Sequence, residues 1–425
     1  METAPPTAGA EAGKADATQQ PWLRGQLRSR FVFRATGDDE DSDLIETLSL
    51  DAGHAATDRV TAHLMGRLTW DMDGSSESFA SINDSYGDRV DGLLYDAWVD
   101  IHRVGGLSLL RLGRQSTIDT PIYAYFDGGH VASEEFGSLK LQVGGYVGVS
   151  THLYEASHSG DLTSGLYAQV RPWTGGRLRF DWMHLEDERR LGTYDDDVLG
   201  AAFWQHVCRE VRLESKYSSV GGESRDAQAR LNWTSPEYGA FVQGSFYTLF
   251  KPQGDLVLEA DPYFQQLNQL FPYDQWSILA AKDLCKSVRL QLATDLRRVQ
   301  DAGDIGFYNR DYDHYYATAS LFEFGVKGLR LSATCDLWDS TGQDITSFGG
   351  DASYEMGETT VSGGTYYSLY KFDLFSNSER DHVRTWFLRL RHKASASMTF
   401  DGDYEYEDND FDQYNRFRLG VTWRF

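Results

Sequence analysis

Beyond Trp22 the chain is written in alternation, with segments in which every second side chain is apolar and the intervening ones are polar or charged. A period of two puts the two sets on opposite faces of an extended strand, so each segment predicts a two-faced β-strand. In "LRGQLRSRFVFR", Leu23, Leu27, Phe31 and Phe33 take one face, and Arg24, Gln26, Arg28, Arg30 and Arg34 take the other. "VTAHLMGRLTW" sets Val60, Ala62, Leu64, Leu68 and Trp70 on one side. "RLRFDW" opposes Leu178, Phe180 and Trp182 to Arg177, Arg179 and Asp181. Val288, Leu290, Leu292 and Leu296 oppose Arg289, Gln291, Asp295 and Arg297. Leu329, Leu331, Ala333, Cys335 and Leu337 oppose Arg330, Ser332, Thr334 and Asp336, and Met398, Phe400, Tyr404 and Tyr406 oppose Asp401, Asp403 and Glu405. In the final "NRFRLGVTWRF", Arg416, Arg418, Thr422 and Arg424 alternate with Phe417, Leu419, Val421, Trp423 and Phe425.

The connections between segments alternate too. Short turns are expected at "HRVGGL" (102–107), "RPWTGGR" (171–177), "HVCRE" (206–210), "TSPEYG" (234–239), "DLCKS" (283–287), "GVKGL" (325–329), "MGE" (356–358) and "RHKASAS" (391–397). Longer loops are expected at 73–89, 115–127, 150–161, 187–194, 250–272, 299–312, 339–343, 371–381 and 407–412. Taking "GHVASEEF" (129–136) as a strand, the tally is about 22, within roughly 18 to 24, which predicts an all-β, transmembrane up-and-down antiparallel β-barrel. Soluble sandwiches also alternate, but a chain of this length would need several of them with linkers between, and no linker-like composition occurs after residue 21. Closing one sheet removes the exposed edges that so many strands would leave. The expected organisation is a disordered segment over 1–21 and a barrel over 22–425, with no plug domain before the first strand and both termini on the periplasmic side.

Composition agrees with this reading. The 41 glycines, 24 tyrosines, 23 phenylalanines and 11 tryptophans against 9 prolines make a β-rich profile. No apolar run approaches the about 18 residues of a helical span, which leaves a membrane barrel untouched because its strands are only half apolar. The net charge of −24 excludes a nucleic-acid partner as the expected role. Acidic clusters at "DDEDSD" (38–43), "DDD" (195–197) and "EDNDFD" (407–412) are expected to be solvated loops.

In a closed barrel the last strand pairs with the first, so Arg416, Arg418 and Arg424 should neighbour Arg24, Arg28, Arg30 and Arg34. Arg389 and Arg391 fall two strands away, with Asp401, Asp403 and Glu405 on the strand between. Two readings of this wall stay open. Basic residues in excess on the inward face would make a hydrated, anion-favouring solute path, whereas arginines paired to inward carboxylates would fill space. Barrels of this size normally carry a plug, so the lumen must be narrowed by folded-in loops or a partner, or stay open. The internal candidate is 250–276, where "EADPYFQQLNQLF" could form a short helix with Tyr263, Leu267 and Leu270 on one face, as a constriction or as an extracellular cap.

Two resemblances sharpen the picture. The final strand is similar to the assembly signal of Gram-negative outer-membrane barrels, which ends in an aromatic residue. That similarity implies the bacterial outer membrane, its lipid, its barrel assembly machinery, and a periplasmic aromatic girdle holding Trp423 and Phe425. "LYDAWVDIHRVGGLSLLRLGRQ" followed by "FDGGHVASEEF" resembles the early barrel segment of alginate-export-like and deltaproteobacterial porins, and the general similarity covers Trp22 to Phe425. This implies a water-filled channel for passive diffusion of small solutes. Some relatives of this kind sheath a multihaem cytochrome in porin–cytochrome electron conduits, which gives an alternative role for the lumen. The chain itself has no Cys-x-x-Cys-His, so any haem would belong to that partner.

Chemistry in the usual linear forms is absent. No His-Glu-x-x-His, phosphate loop or Gly-x-Ser-x-Gly elbow occurs, so no catalytic residue, metal or cofactor is expected. His184, on the outward register beyond Trp182, is read as a girdle or rim residue. Asp408, Asp410 and Asp412 lack the glycine and distal glutamate of a calcium loop and are read as solvated. Cys208 and Cys285 lie near different turns and Cys335 faces lipid, so all are expected as free thiols.

Overall fold

A strand bounded by lipid cannot leave its backbone groups to water, and closure of the sheet is the arrangement that pairs them all. The computed structural model, which describes residues 21–37, 39–74, 89–151, 160–189, 192–252, 271–305, 309–340, 343–373 and 378–425, is a closed sheet of 22 strands with antiparallel neighbours. The first half comprises β1 (Leu23–Thr36), β2 (Asp39–Ala52), β3 (Val60–Asp71), β4 (Val90–Val104), β5 (Leu107–Ser116), β6 (Tyr125–Ser133), β7 (Gln142–Ser150), β8 (Leu162–Val170), β9 (Gly176–Arg189), β10 (Gly192–His206) and β11 (Val211–Val220). The second half comprises β12 (Glu223–Ser235), β13 (Ala240–Leu249), β14 (Tyr273–Cys285), β15 (Val288–Val299), β16 (Tyr312–Phe322), β17 (Leu329–Ser340), β18 (Gln343–Met356), β19 (Thr359–Asp373), β20 (Ser378–Lys393), β21 (Met398–Asp408) and β22 (Gln413–Arg424). Each strand pairs with its chain neighbours, and β22 returns to β1.

The closing register follows the alternation. Leu27 lies opposite Trp423, Phe31 opposite Leu419 and Phe33 opposite Phe417, while Arg28, Arg30 and Arg34 face Thr422, Gly420 and Arg416 on the other side. The apolar set is outward and exposed, as at Leu166 (62%), Phe180 (58%) and Leu292 (59%). Buried positions are instead largely polar, including Asp41, Asp43, Asp100, Arg179, Glu405 and Thr422. This is a barrel with an apolar belt outside and a polar lining within. The final residue is fixed by backbone bonds in both directions with Gly25, at 2.8 and 3.0 Å, and its ring covers Gly25, where a side chain would collide with it. Trp423 packs beside that ring with centroids 4.8 Å apart, and Phe136, Trp173, Tyr238 and Phe324 lie exposed in the short connections at the same end. Trp423 and Phe425 thus sit with other exposed aromatic rings at this end of the barrel.

Several boundaries differ from the sequence reading. "DDEDSD" enters β2, with Asp41 and Asp43 inward and buried, because alternate acids in an extended segment can all point into a polar lumen. Residues 195–197 likewise belong to β10. The loops expected over 187–194 and 371–381 shrink as β9, β10, β19 and β20 extend their backbone pairing beyond the belt, which charged side chains do not oppose at solvated strand ends. The expected strand at 129–136 runs over Tyr125–Ser133 instead. Cys208 and Cys285 are exposed near turns, Cys335 lies outward opposite Phe348, and all three are free thiols. The segment 1–20 and the proposed helix within 253–270 lie outside the described residues.

A charge placed on the belt should cost more than one placed in the lumen. Leu419→Arg is expected to lower unfolding stability by about 2–4 kcal/mol in lipid bilayers, while Gln243→Lys, on the inward register, changes it little. Urea titration of the two reconstituted variants reads this difference, and equal losses would contradict the assigned faces.

Candidate functional site in the lumen

The inward rows of β20, β21, β22, β1 and β2 form an alternating charge lattice. Pairing sets Arg389 opposite Asp403, Arg391 opposite Asp401, Arg418 opposite Asp403 and Arg416 opposite Glu405. Arg389 donates to Asp403 at 2.9 Å and to Glu405 at 3.1 Å. Arg418 donates through Nε to Asp403 at 2.9 Å, and Arg416 grips Glu405 directly. Glu405 is 2% exposed, so its carboxylate depends on these guanidinium groups in place of water. On the far side Arg34 is clamped by Asp41 and Asp43, at 2.7 and 2.6 Å. Pairing on this scale fixes side chains that would otherwise sweep the lumen.

Not every predicted arginine is neutralised. Asp401 leans towards Arg28, at 3.7 Å, away from its cross-strand partner Arg391. Arg391 is exposed, and neither it nor Arg30 makes an ion pair within 4.0 Å among the described residues. Arg24 lies apart, inward near the short-turn end and opposite Asp51. The structure thus brings Arg28, Arg30, Arg34, Arg389, Arg391, Arg416, Arg418, Asp401, Asp403 and Glu405 onto one wall, and leaves Arg24 at its edge. Its charges alternate by strand, and Asp41, Asp43, Asp71, Asp91, Asp96 and Asp100 on the inward rows of β2, β3 and β4 offset the arginines.

The opposite wall carries an apolar patch beside the buried Arg179–Asp181 pair of β9. Inward Phe126, Tyr146, Met183, Leu185, Val198 and Val220 form a buried cluster, and Ile122 and Ala124 pack on it from the β5–β6 connection. That connection, residues 117–124, therefore folds into the barrel. Pro121 sits against Gly200 of β10 so closely that a side chain there would collide with its ring. Asp119 accepts from Arg177 of β9 at 3.2 Å, and Arg177 stacks over Trp204 at 3.5 Å. Within the loop, Thr117 and Thr120 both bond the Ile122 carbonyl, at 3.2 and 2.7 Å, and the Ala124 amide donates to Thr117 Oγ1 at 3.0 Å. The wall beneath is rich in inward glycines, and the Tyr167 and Tyr146 rings lie over Gly144 and Gly165. Sequence reasoning identified 115–127 as a loop without seeing its direction. The apolar residues at inward positions of β9–β11, Met183, Leu185, Val198 and Val220, were the available signal, since a lumen wall needs no such patch unless something covers it.

Other expected features take definite places. His184 is outward, bonded to Asp197 at 3.1 Å and Glu186 at 3.4 Å and stacked on Trp182. Asp412 accepts from Thr36 at 2.7 Å, and Asp410 lies 3.7 Å from His382. A different acidic group, Asp41, Asp71 and Asp73, gathers at the loop end of the lumen, where Asp41 is already engaged by Arg34.

No protein-family model and no curated protein matches the sequence. Solved structures similar in fold include the P pilus usher PapC translocation pore, with 7% identity over 95% of this chain and 99% of that one at TM-score 0.54. The siderophore receptor PirA of Pseudomonas aeruginosa matches with 9% identity over 96% of this chain and 81% of that one at TM-score 0.57. OpdK of the same organism, an outer-membrane protein, covers 95% of this chain and 98% of its own at 11% identity and TM-score 0.45. These neighbours are Gram-negative outer-membrane β-barrels, and the likeness is one of fold.

The shared carboxylate of Glu405 should be the most sensitive position of the charged wall. Glu405→Ala strands the partly buried Arg416 and leaves Arg389 with Asp403 alone, and is expected to lower stability by about 3 kcal/mol. Equilibrium unfolding followed by tryptophan fluorescence checks this, and an unchanged midpoint would refute the pairing scheme.

Proposed function

We propose that the protein is an outer-membrane channel, without catalysis, for passive diffusion of small solutes through a lumen narrowed by its own residues 117–124. The observation that carries this reading is that loop, docked by Pro121 on Gly200 and by Asp119 on Arg177. A lumen partly occupied by its own chain is a poor sleeve for a multihaem cytochrome, so the self-contained channel is favoured over the conduit sheath. A relationship to the alginate-export-like and deltaproteobacterial porins belongs to the same reading.

The two walls suggest how solutes are sorted. A charge-rich face opposite a loop-covered face that bears an apolar patch sets a transverse field across the water path, which orients dipolar solutes. Arg30 and Arg391, lacking a close carboxylate among the described residues, supply the sites for anionic groups, while the paired arginines hold the wall rigid. Anion preference is therefore expected to be modest. Orientation with both termini periplasmic is supported by the short connections gathered at their end and the longer ones at the other. The outward aromatic terminus at Trp423 and Phe425 suits recognition by the barrel assembly machinery.

Planar bilayers test the proposal. Purified protein should give steady single-channel conductance with a reversal potential slightly favouring anions, and replacing 118–123 by a glycine–serine turn should raise the conductance. Neutralising Arg416 and Arg418 to Gln leaves Asp403 and Glu405 in excess, so selectivity should move towards cations. A silent wild-type protein would sink the channel reading.

A further inference from the structure

The barrel wall is not zipped along its whole height. β18 and β19 pair from Met356–Thr359 at the turn up to Gly350–Thr365, and no ladder pair joins them beyond that point among the described residues. Both strands nevertheless continue, since β18 stays paired to β17 as far as Ser340–Gln343 and β19 to β20 as far as Asp373–Ser378. The split begins about 18 Å above the turn, for a rise of about 3.3 Å per residue and a tilt of about 40°. That height falls in the upper part of a belt about 25 Å tall, where unpaired backbone groups are costly.

Glycines mark the point of divergence. At the last rung Gly350 pairs with Thr365 and Gly364 with Asp351, a side chain at Gly364 would collide with the Gly350 carbonyl, and one at Gly349 with the Thr365 carbonyl. Such backbone contact is open only to glycine, so the close approach at the rung where the ladder stops is written into the sequence. Arg384, from β20 beyond β19, crosses to the far lip of the seam. Its guanidinium donates to the Phe348 carbonyl at 2.5 Å and to Ser347 Oγ at 2.7 Å, with the Tyr367 ring 5.5 Å below it. Phe348 on the β18 lip is 67% exposed on the outward face, and Trp386, on β20 beside the β19 lip, is 42% exposed, so the lipid side of the seam is flanked by aromatic rings.

We propose that this seam is a lateral exit between the lumen and the outer leaflet for amphiphiles that carry a carboxylate and an apolar chain, with Arg384 as its latch. A carboxylate bonds a guanidinium more strongly than a neutral carbonyl does, so an arriving solute exchanges with Phe348 O and frees the β18 lip. Its apolar chain then lies against Phe348 and Trp386 while the head group remains on Arg384. The exit rests on the channel reading only in needing a lumen open to solute.

The test uses dodecanoate as the probe and the full chain with Cys208, Cys285 and Cys335 changed to Ser. Ser347→Cys and Ser368→Cys would face each other if the ladder continued, so a bismaleimide link between them staples the seam. Expressed in a bacterial host lacking its own long-chain carboxylate channel, the unlinked variant should take up labelled dodecanoate. The stapled one should fall to the level of cells without the protein, while bilayer ion conductance is kept. If the double variant fails to assemble, Ser368→Cys carrying a bulky maleimide should block uptake in the same way. Uptake unaffected by the staple, or a disulfide forming at once between the two introduced thiols, overturns the exit. Uptake blocked by the staple in a protein that conducts no ions overturns the channel reading and leaves the exit standing.

Discussion

Every feature of this barrel depends on one pairing, the return of β22 to β1. Lipid offers no hydrogen bonds, and each backbone group left open to it costs several kcal/mol, so an unclosed sheet of this length could not persist in a membrane. The terminal residues are built for that closure. Gly25 has no side chain, so the ring of Phe425 can lie flat over it, and the two backbones bond in both directions. Once this register is set, the period of two carries it round the whole wall, and the inward or outward fate of each side chain follows.

The same register creates the electrostatic problem of the lumen. Arg34 and Arg416 are directly opposite each other on paired strands, and Arg28, Arg30 and Arg418 stand nearby. Like charges so placed repel, and the flanking strands compensate, β21 with Asp403 and Glu405 and β2 with Asp41 and Asp43. Strand-by-strand alternation of sign is thus a condition for closing the barrel on an arginine-rich pair of strands, and any selectivity is what remains after that condition is met. On the proposed channel reading, the few arginines without a close acid matter more to solutes than the many that have one.

Much of this was legible in the sequence. The alternation gave the faces of β1, β3, β9, β15, β17, β21 and β22 and the strand number, because a buried-or-exposed choice at period two leaves a strong trace. Asp41 and Asp43 were misread as loop residues because an acidic run carries no mark of the cation it will meet, and Arg34 reaches them only through the β1–β2 hairpin. The loop 117–124 was visible as a break in alternation, but its direction was not. That direction is set by Met183, Leu185, Val198 and Val220, which lie far along the chain and become one patch only when β9, β10 and β11 stand side by side.

The split between β18 and β19 runs against the constraint that closes the rest of the wall, and for that reason it is informative. A strand pair that merely ended early would leave one strand short, as β11 is beside β10, whereas here both strands continue and remain paired on their far sides. The glycines at the branch let the two backbones touch at the last rung, and Arg384 satisfies a carbonyl that the missing ladder would have bonded. An arginine drawn across a neighbouring strand for one carbonyl and one hydroxyl compensates only part of what ladder pairing would provide. A wall that gives up backbone pairing at this depth, and holds the gap with a group that a carboxylate can displace, has the construction of a closure made to open.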